Sequence, residues 1–154
     1  HTEVIKRRIE LVLFTLAGVI GWQVLSRIVK ALYFRPRPST AGADVQELFF
    51  HRPDEAFPSD HAALLVGFAT YAYLRGSVPR TGTERGWKRA AHWLLLIALV
   101  VSAARIITGT HWLTDIAGGV IIGLVSAWIV FVFGKPLRKS VVEPLVKAMT
   151  KIGL

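Results

Sequence analysis

Long apolar segments, separated by connections that carry most of the charge, make up the greater part of this 154-residue chain. They cover residues 9–34, 59–75, 90–107 and 112–133, and residues 11–25 carry no charge. A helix needs about 20 mostly apolar residues to cross a bilayer. The first and fourth segments reach that length, whereas the second and third are marginal alone and plausible as partners in a bundle. The pattern predicts an all-α, polytopic transmembrane bundle with four spans, in one domain over residues 1–154.

The composition agrees with a membrane protein. Apolar residues make up 53% of the chain and charged residues 19%, which is more apolar than a water-facing surface allows. A soluble helical protein with a very apolar core is the alternative. The absence of cysteine excludes disulfides and cysteine-based metal sites. Residues 1–10 lead into the first apolar segment without a small-residue cleavage site, so we expect no signal peptide.

Two further patterns concern helix packing. Gly119 and Gly123 form a small-xxx-small pair on the fourth segment, which suits close contact between helices. After Gly134, apolar residues recur at helical spacing while basic residues occupy other positions, which predicts an amphipathic helix over residues 136–152 on the membrane surface. Its apolar residues are Leu137, Val141, Val142, Leu145, Val146, Met149 and Ile152.

The net charge of +9 fits nucleic-acid binding, cytoplasmic loops of a membrane protein or a phosphate site. Nucleic-acid binding requires basic residues along one solvated face, whereas here they lie between apolar segments, so we expect no nucleic-acid partner. One set of segment ends carries Lys6, Arg7, Arg8, Arg75, Arg80, Arg85, Lys88, Arg89, Lys135, Arg138, Lys139, Lys147 and Lys151. The positive-inside rule assigns these ends to the cytoplasm. The opposite ends, with Lys30, Arg35, Arg37, Arg52 and Arg105, are then extracytoplasmic in a multi-pass protein of the cell membrane.

Three polar clusters meet at those opposite ends. Residues 30–38 close the first segment, residues 58–61 open the second, and residues 105–115 bridge the last two. Cations at the edge of a membrane are costly unless they bind an anion, and Arg and Lys together suit phosphate. Backbone N–H groups at the helix start after Pro58 and the hydroxyl of Ser59 can bind the same anion. For Arg35 and Arg52, attraction of an anionic head group and a solvated loop charge are equally good explanations.

Two histidines extend the phosphate site towards catalysis. His111 and Asp115 are four residues apart and share a helical face, so the carboxylate can fix the ring tautomer and leave the other nitrogen as a nucleophile. His61 can protonate the leaving oxygen and then activate water. Taken alone, each cluster has a simpler explanation, such as interfacial anchoring, an N-cap, a structural hydrogen bond or half a metal site. Their occurrence together on one membrane face favours phosphoryl transfer.

The combined pattern resembles the type 2 phosphatidic acid phosphatase superfamily over about residues 25–123. Its Lys, six residues, Arg-Pro motif matches residues 30–38, its Pro-Ser-Gly-His motif matches residues 58–61, and its Ser-Arg, five residues, His, three residues, Asp motif matches residues 104–115. The resemblance implies a phosphatase without metal or cofactor, in which His111 is the nucleophile, Asp115 orients it and His61 is the general acid. The resemblance also implies that phosphate is bound by Lys30, Arg37, Ser59 and Arg105, with Asp60 beside them.

Two residues depart from those motifs: Asp60 replaces glycine and adds a negative charge, and Ala104 replaces serine and removes a donor. The form Phe57–His61 resembles that of the bacterial undecaprenyl pyrophosphate phosphatases, which implies hydrolysis of undecaprenyl pyrophosphate to undecaprenyl phosphate through a phosphohistidine. The expected partners are that lipid and the surrounding membrane lipids. Bacterial members usually have six spans, so four predict either a short member or the absence of two leading helices.

Other activities fit the same residues. Within the enzymes, they are hydrolysis of phosphatidylglycerophosphate or phosphatidate and phosphoryl transfer to another lipid. From a different class, a non-catalytic anion-binding or transport subunit of the membrane would use the cations. Such a subunit needs neither His61 nor His111, and those histidines therefore favour an enzyme.

Overall fold

The computed structural model describes residues 2–42, 55–78 and 83–151, and in them the regular structure is helical. The helices are α1 (Thr2–Leu32), α2 (Asp60–Ser77), α3 (Glu84–Ile107), α4 (Leu113–Leu137) and, after a π-helical turn (Arg138–Val142), α5 (Glu143–Lys151). The predicted all-α class is confirmed. Arg52, Arg80 and Ile152, which entered the predictions above, lie outside the described residues.

Three helices are long and apolar enough to cross a membrane. They provide the candidate spans Ile9–Leu32, Glu84–Ile107 and Leu113–Gly134. Helix α2 is not among them, because its 18 residues include Asp60, His61 and Arg75. The 18 residues of α2 extend about 27 Å, slightly less than the thickness of a hydrocarbon core, about 30 Å. The four-span count therefore stays a prediction. Helix α2 packs extensively against both α3 and α4, so it is the central helix of the bundle.

The crossing of α2 and α4 is a contact between backbones. A Cβ atom on Gly119 would lie 2.4 Å from the carbonyl oxygen of Ser59, and one on Gly123 would lie 2.6 Å from that of Ala63. Only glycine leaves room for such an approach, so the predicted role of this pair in helix contact is confirmed. Because Ser59 immediately precedes α2, the same contact fixes the start of α2 against α4.

Apolar side chains cover the outer faces of the three candidate spans. Exposed large apolar residues include Leu16, Ile20 and Val24 on α1, Leu96, Leu99 and Val100 on α3, and Ile121, Trp128 and Phe133 on α4. Apolar surfaces of this extent are rare on water-soluble monomers and mark membrane or protein contacts. The chain is a membrane protein, and the soluble alternative is wrong.

The C-terminal segment differs from the single helix predicted over residues 136–152. Helix α4 continues to Leu137, and the π-helical turn separates it from α5. Val142 and Val146 are buried, whereas Val141 and Leu145 are exposed, so apolar residues occupy both environments. The π-helical turn and α5 contact α1, and Arg138 Nε lies 2.8 Å from Glu10 Oε1. Contact with a membrane surface stays a prediction for this segment.

Candidate active site

The predicted site residues lie at the end of the bundle where α1 ends, α2 begins and α3 turns into α4. The turn is tight, because the N–H groups of Thr110 and His111 both donate to the carbonyl oxygen of Arg105. Gly109 allows it with a φ of 69°, a conformation that glycine adopts without steric cost. This five-residue link places His111 beside the end of α3, which carries Arg105.

A backbone carbonyl holds the ring of His111. Nδ1 lies 2.8 Å from the carbonyl oxygen of Ala56. Because a carbonyl oxygen only accepts, Nδ1 carries the hydrogen and Nε2 of the neutral ring keeps its lone pair. Asp115 Oδ2 is 3.6 Å from Nδ1, which is beyond hydrogen-bonding distance. Ala56, rather than Asp115, therefore fixes the tautomer in this structure.

The buried carboxylate of Asp115 has two other partners. Oδ2 accepts the N–H of Trp112 at 2.7 Å, the reach back to the helix start that is typical of a capping box. Oδ1 lies 2.9 Å from Arg35 Nη1. Arg35 also donates to the hydroxyl of Thr114, and its guanidinium lies 5.3 Å from the centroid of the Trp112 ring. Asp115 thus joins α4 to the segment after α1, and Arg35 neutralises its charge.

The surroundings of His111 favour the uncharged ring. Its pKa is lowered to about 4, first by burial and second by the positive charge of Arg37, with a smaller lowering by Arg105. Asp115 and the Ala56 carbonyl raise the pKa but do not offset the lowering. At neutral pH the ring is therefore uncharged, with its lone pair on Nε2, which is the state that a nucleophile requires. The same influences show that both arginines lie close enough to act on His111.

The two arginines are oriented by neutral acceptors. Arg37 is buried, and its Nη1 donates to the carbonyl oxygen of Thr110 at 2.8 Å. Arg105 Nη2 lies 2.7 Å from His61 Nε2 and 3.2 Å from its Nδ1. Because a guanidinium only donates, the His61 nitrogen that faces it accepts the bond and is unprotonated. Arg105 thus connects the two histidines of the site.

The remaining predicted residues lie at the start of α2. The Ser59 N–H donates to the Asp115 carbonyl oxygen at 3.0 Å, so this backbone donor, which the sequence analysis offered to an anion, is already engaged. Ser59 Oγ is buried and has no hydrogen-bond partner among the described residues. Lys30 Nζ lies 2.6 Å from Asp60 Oδ2. The lysine expected to bind phosphate is thus paired with the residue that departs from the family motif.

Two residues of this network were not identified by the motifs as site residues. The sequence left Arg35 open between attraction of a head group and a solvated loop charge, and the structure pairs it with Asp115 instead. A carboxylate three residues into a helix, close to an Arg-rich segment, was the available signal. Ala56 acts through its backbone oxygen, and that contact has no signature in a sequence. The N–H of Ala56 donates to the Arg35 carbonyl oxygen at 2.8 Å, so a backbone hydrogen bond joins Ala56 to Arg35.

Fold and site together define a class: a helical membrane protein in which arginines and two histidines are gathered at one end of the bundle. The family model described as the PAP2 superfamily matches residues 11–139, and the chain belongs to that superfamily. The predicted family is confirmed, and membership supports a lipid phosphatase. No solved structure matches the chain.

Three curated relatives are similar to the chain over part of their own length. The chain is 28% identical to the "bacitracin transport permease protein BcrC" of Bacillus licheniformis, over 98% of this chain and 68% of that protein. It is 26% identical to the "undecaprenyl-diphosphatase BcrC" of Bacillus subtilis, over 88% of this chain and 67% of the relative. It is 32% identical to the "putative undecaprenyl-diphosphatase YbjG" of Escherichia coli, over 49% and 33%.

Proposed function

We propose that this protein hydrolyses a lipid diphosphate through a phosphohistidine, without a metal ion, and that its substrate is undecaprenyl diphosphate. The observation that carries the proposal is the state of His111, a neutral ring with Nδ1 bonded to a carbonyl and Nε2 left with its lone pair. Arg37 and Arg105, two of the cations predicted to bind phosphate, lie close enough to lower its pKa. The names of two relatives support the substrate.

In the first step, Nε2 of His111 attacks the terminal phosphorus, and the bond between that phosphorus and the bridging oxygen breaks. His61 gives its proton to the departing oxygen, so the lipid leaves as a monophosphate. Arg37, Arg105 and Lys30 stabilise the negative charge that develops on the phosphoryl oxygens. The His111 ring becomes positive as the P–N bond forms, and Asp115, 3.6 Å from Nδ1, favours that charge.

In the second step, His61 removes a proton from water, the water oxygen bonds to phosphorus, and the P–N bond breaks. Orthophosphate leaves, and His111 returns to its neutral state. The contact between Arg105 and His61 gives a way to prepare the general acid. When a phosphoryl oxygen draws the guanidinium away, the His61 nitrogen that accepted its hydrogen bond can take up a proton.

The cations supply the electrostatic stabilisation that Mg²⁺ provides in many phosphoryl-transfer enzymes. Because their positive charge is built into α1, α3 and the segment after α1, the proposed reaction needs no metal. We therefore expect orthophosphate release from a polyprenyl diphosphate to continue in excess EDTA. Loss of activity with EDTA, followed by recovery with Mg²⁺ alone, would contradict the metal-independent mechanism.

The same assay, run in detergent, separates the candidate substrates. We expect a polyprenyl diphosphate to be hydrolysed with a higher kcat/KM than phosphatidylglycerophosphate or phosphatidate, and His111→Ala to remove activity on all three. Transfer of the phosphoryl group to an added lipid alcohol instead of water would indicate a phosphotransferase. A preference for phosphatidate would retain the phosphatase and reject the diphosphate substrate.

A non-catalytic membrane subunit is the second candidate, and the name of the Bacillus licheniformis relative, which refers to transport, favours it. Such a protein would bind anions through Arg37 and Arg105 and would gain nothing from a nucleophile with a fixed tautomer. The two candidates differ in one product: only the enzyme forms acid-labile phosphate on the protein. Anion binding without phosphate release or trapped phosphate would establish the subunit.

A further inference from the structure

The pair of Lys30 and Asp60 stands apart from the other contacts of the site. Lys30 lies in the last turn of α1 and Asp60 is the first residue of α2, and their side chains meet at 2.6 Å. Among the described residues, neither side chain has a second hydrogen-bond or ion-pair partner, and Asp60 Oδ1 is buried without one. One contact therefore holds the Asp60 carboxylate.

A carboxylate oxygen and a phosphoryl oxygen make the same kind of contact with an ammonium group, since both are anionic acceptors of a charge-assisted hydrogen bond. The proposed function gives Lys30 a phosphoryl oxygen as its ligand. In the structure, Asp60 Oδ2 already accepts a hydrogen bond from that ammonium. Of the three N–H groups of the Lys30 ammonium, the one that Asp60 accepts is not available to phosphate. Phosphate and the carboxylate therefore compete for this donor, and their negative charges repel each other when both lie on Lys30.

On the basis of the proposed function, we propose that Asp60 is an internal competitor of phosphate for Lys30. It weakens the binding of orthophosphate and so promotes release of the final product. The exchange is reversible, because the Asp60 carboxylate returns to Lys30 when phosphate leaves. Glycine, the usual residue of the motif at this position, cannot make this contact, so the competition is a property that Asp60 adds to the site.

The charges of the site agree with this role. Arg35 is neutralised by Asp115, which leaves Lys30, Arg37 and Arg105 as the cations expected to attract phosphate. Asp60 reduces their combined charge from three to two and places its negative charge beside the expected ligand. Binding of phosphate is therefore opposed by the loss of the ion pair between Lys30 and Asp60 and by repulsion from the nearby carboxylate.

A simpler role for Asp60 is stabilisation of the start of α2, where a negative charge interacts favourably with the helix dipole. That role acts on folding and does not involve Lys30. Competition, by contrast, requires Lys30. A double-mutant comparison therefore separates the two explanations.

The test is direct binding of inorganic phosphate to the purified chain in detergent micelles, measured by isothermal titration calorimetry. We expect Asp60→Asn to bind phosphate about three- to tenfold more tightly, the scale of a partly exposed ion pair together with the repulsion of a nearby charge. Glu55→Gln is the matched control, since it removes one negative charge from the segment just before α2. It should change the affinity by less than about twofold.

The decisive arm repeats Asp60→Asn in a Lys30→Met background, where we expect a clearly smaller tightening, because there is no ammonium left to compete for and only the repulsion of the nearby charge is removed. Unchanged phosphate affinity in Asp60→Asn, or equal tightening with and without Lys30, would overturn the proposal. Thermal melting checks that each variant folds. Asp60→Gly, which restores the residue of the family motif, replaces Asp60→Asn if the latter is unfolded.

Binding and hydrolysis are measured separately, so the two proposals can fail independently. If Asp60→Asn binds phosphate more tightly but neither it nor the unmodified chain releases phosphate from a lipid diphosphate, competition stands and the enzyme does not. If the unmodified chain hydrolyses the lipid and Asp60→Asn has unchanged phosphate affinity, the enzyme stands and competition does not.

Discussion

At the residue level, the two histidines of the site differ in their surroundings. His111 is 5% exposed, bonded to a backbone carbonyl and kept neutral by burial. His61 is exposed and in contact with a guanidinium. A buried neutral ring in a fixed tautomer suits nucleophilic attack, whereas an exposed ring can exchange protons with water and substrate. The two environments support the same division of roles as the family resemblance.

This division predicts that a defect in His61 depends on the leaving group. A lipid alkoxide, the leaving group of a monoester such as phosphatidate, needs a proton to leave, whereas nitrophenolate needs little help, so a nitrophenyl phosphate should partly rescue His61→Ala but not His111→Ala. General acid catalysis contributes about 10²- to 10⁴-fold, which sets the size of the rescue. The measurement is kcat/KM on both substrates, after the unmodified protein is shown to accept the aryl ester. Acid-labile phosphate trapped with His111→Ala but not with His61→Ala would reverse the roles.

A second residue-level prediction concerns pH. Because the pKa of His111 is lowered to about 4, its nucleophilic neutral form persists down to that pH and is lost as pH falls below it. Arg37→Gln removes the second largest cause of the lowering and should move the pKa of His111 upward, towards 6.5. NMR titration of ¹³C-labelled histidine in micelles measures both values, with His111→Gln assigning the signal. A signal that titrates near 6.5 in the unmodified protein would contradict the prediction.

Some contacts of this site could be predicted from the sequence and others could not, for physical reasons. Side-chain chemistry and spacing placed Arg105, His111 and Asp115 near one another, since a five-residue link and one helical turn leave little freedom. They gave no indication that Ala56 holds His111, because every residue has a carbonyl oxygen. They also left Arg35 unassigned, because which of several nearby cations pairs with Asp115 depends on three-dimensional packing.

At the level of elements, the crossing of α2 and α4 determines where the site residues meet. Cβ atoms on Gly119 and Gly123 would lie 2.4 and 2.6 Å from the backbone oxygens of Ser59 and Ala63, so α4 meets the backbone at the start of α2 directly. Gly18 on α1 provides a contrast, since a Cβ there would meet no atom within 4 Å. Gly119 and Gly123 therefore allow close contact between helices, whereas Gly18, which also lies in an apolar helix, makes no such contact.

We expect Gly123→Ala to destabilise the bundle by about 1–3 kcal/mol, because a methyl group has to enter space held by backbone atoms. Gly18→Ala should be neutral or stabilising by up to about 1 kcal/mol, since alanine favours a helix and the site is open. Unfolding in detergent, followed by tryptophan fluorescence, measures both. Equal changes in the two variants would show that the crossing does not depend on the glycine.

Helix existence was easier to predict than helix ends. Apolar content fixed the four helical segments, but α1 was predicted over residues 9–34 and runs from Thr2 to Leu32. Its polar first turns extend the helix beyond the apolar run, because hydropathy detects the span and not the helix. The break at Arg138–Val142 was not predicted, although Pro136 and Pro144 flank it and Pro144 has no N–H to donate to the carbonyl oxygen four residues earlier, within the break. Its position coincides with contacts between this turn and α1.

At the level of the whole molecule, the apolar outer faces indicate that the protein lies in a bilayer, and the distribution of basic residues predicts its orientation there. Helix α3 begins at Glu84, among Arg85, Lys88 and Arg89, and ends at the candidate active site. Its 24 residues extend about 36 Å, enough to carry these two ends to opposite sides of a bilayer. The positive-inside rule then predicts that the active site faces away from the cytoplasm.

The absence of cysteine makes this orientation testable with single introduced thiols. Ala41, whose N–H donates to the Arg37 carbonyl oxygen, is exposed at the site end, and Thr83 is exposed just before α3. In intact cells, a membrane-impermeant maleimide should label Ala41→Cys at once and Thr83→Cys only after permeabilisation, because the charged reagent cannot cross the bilayer. Labelling after denaturation controls for expression of each variant. The opposite pattern would place the histidines and the proposed phosphate site in the cytoplasm, where the enzyme would act on lipid head groups of the inner leaflet.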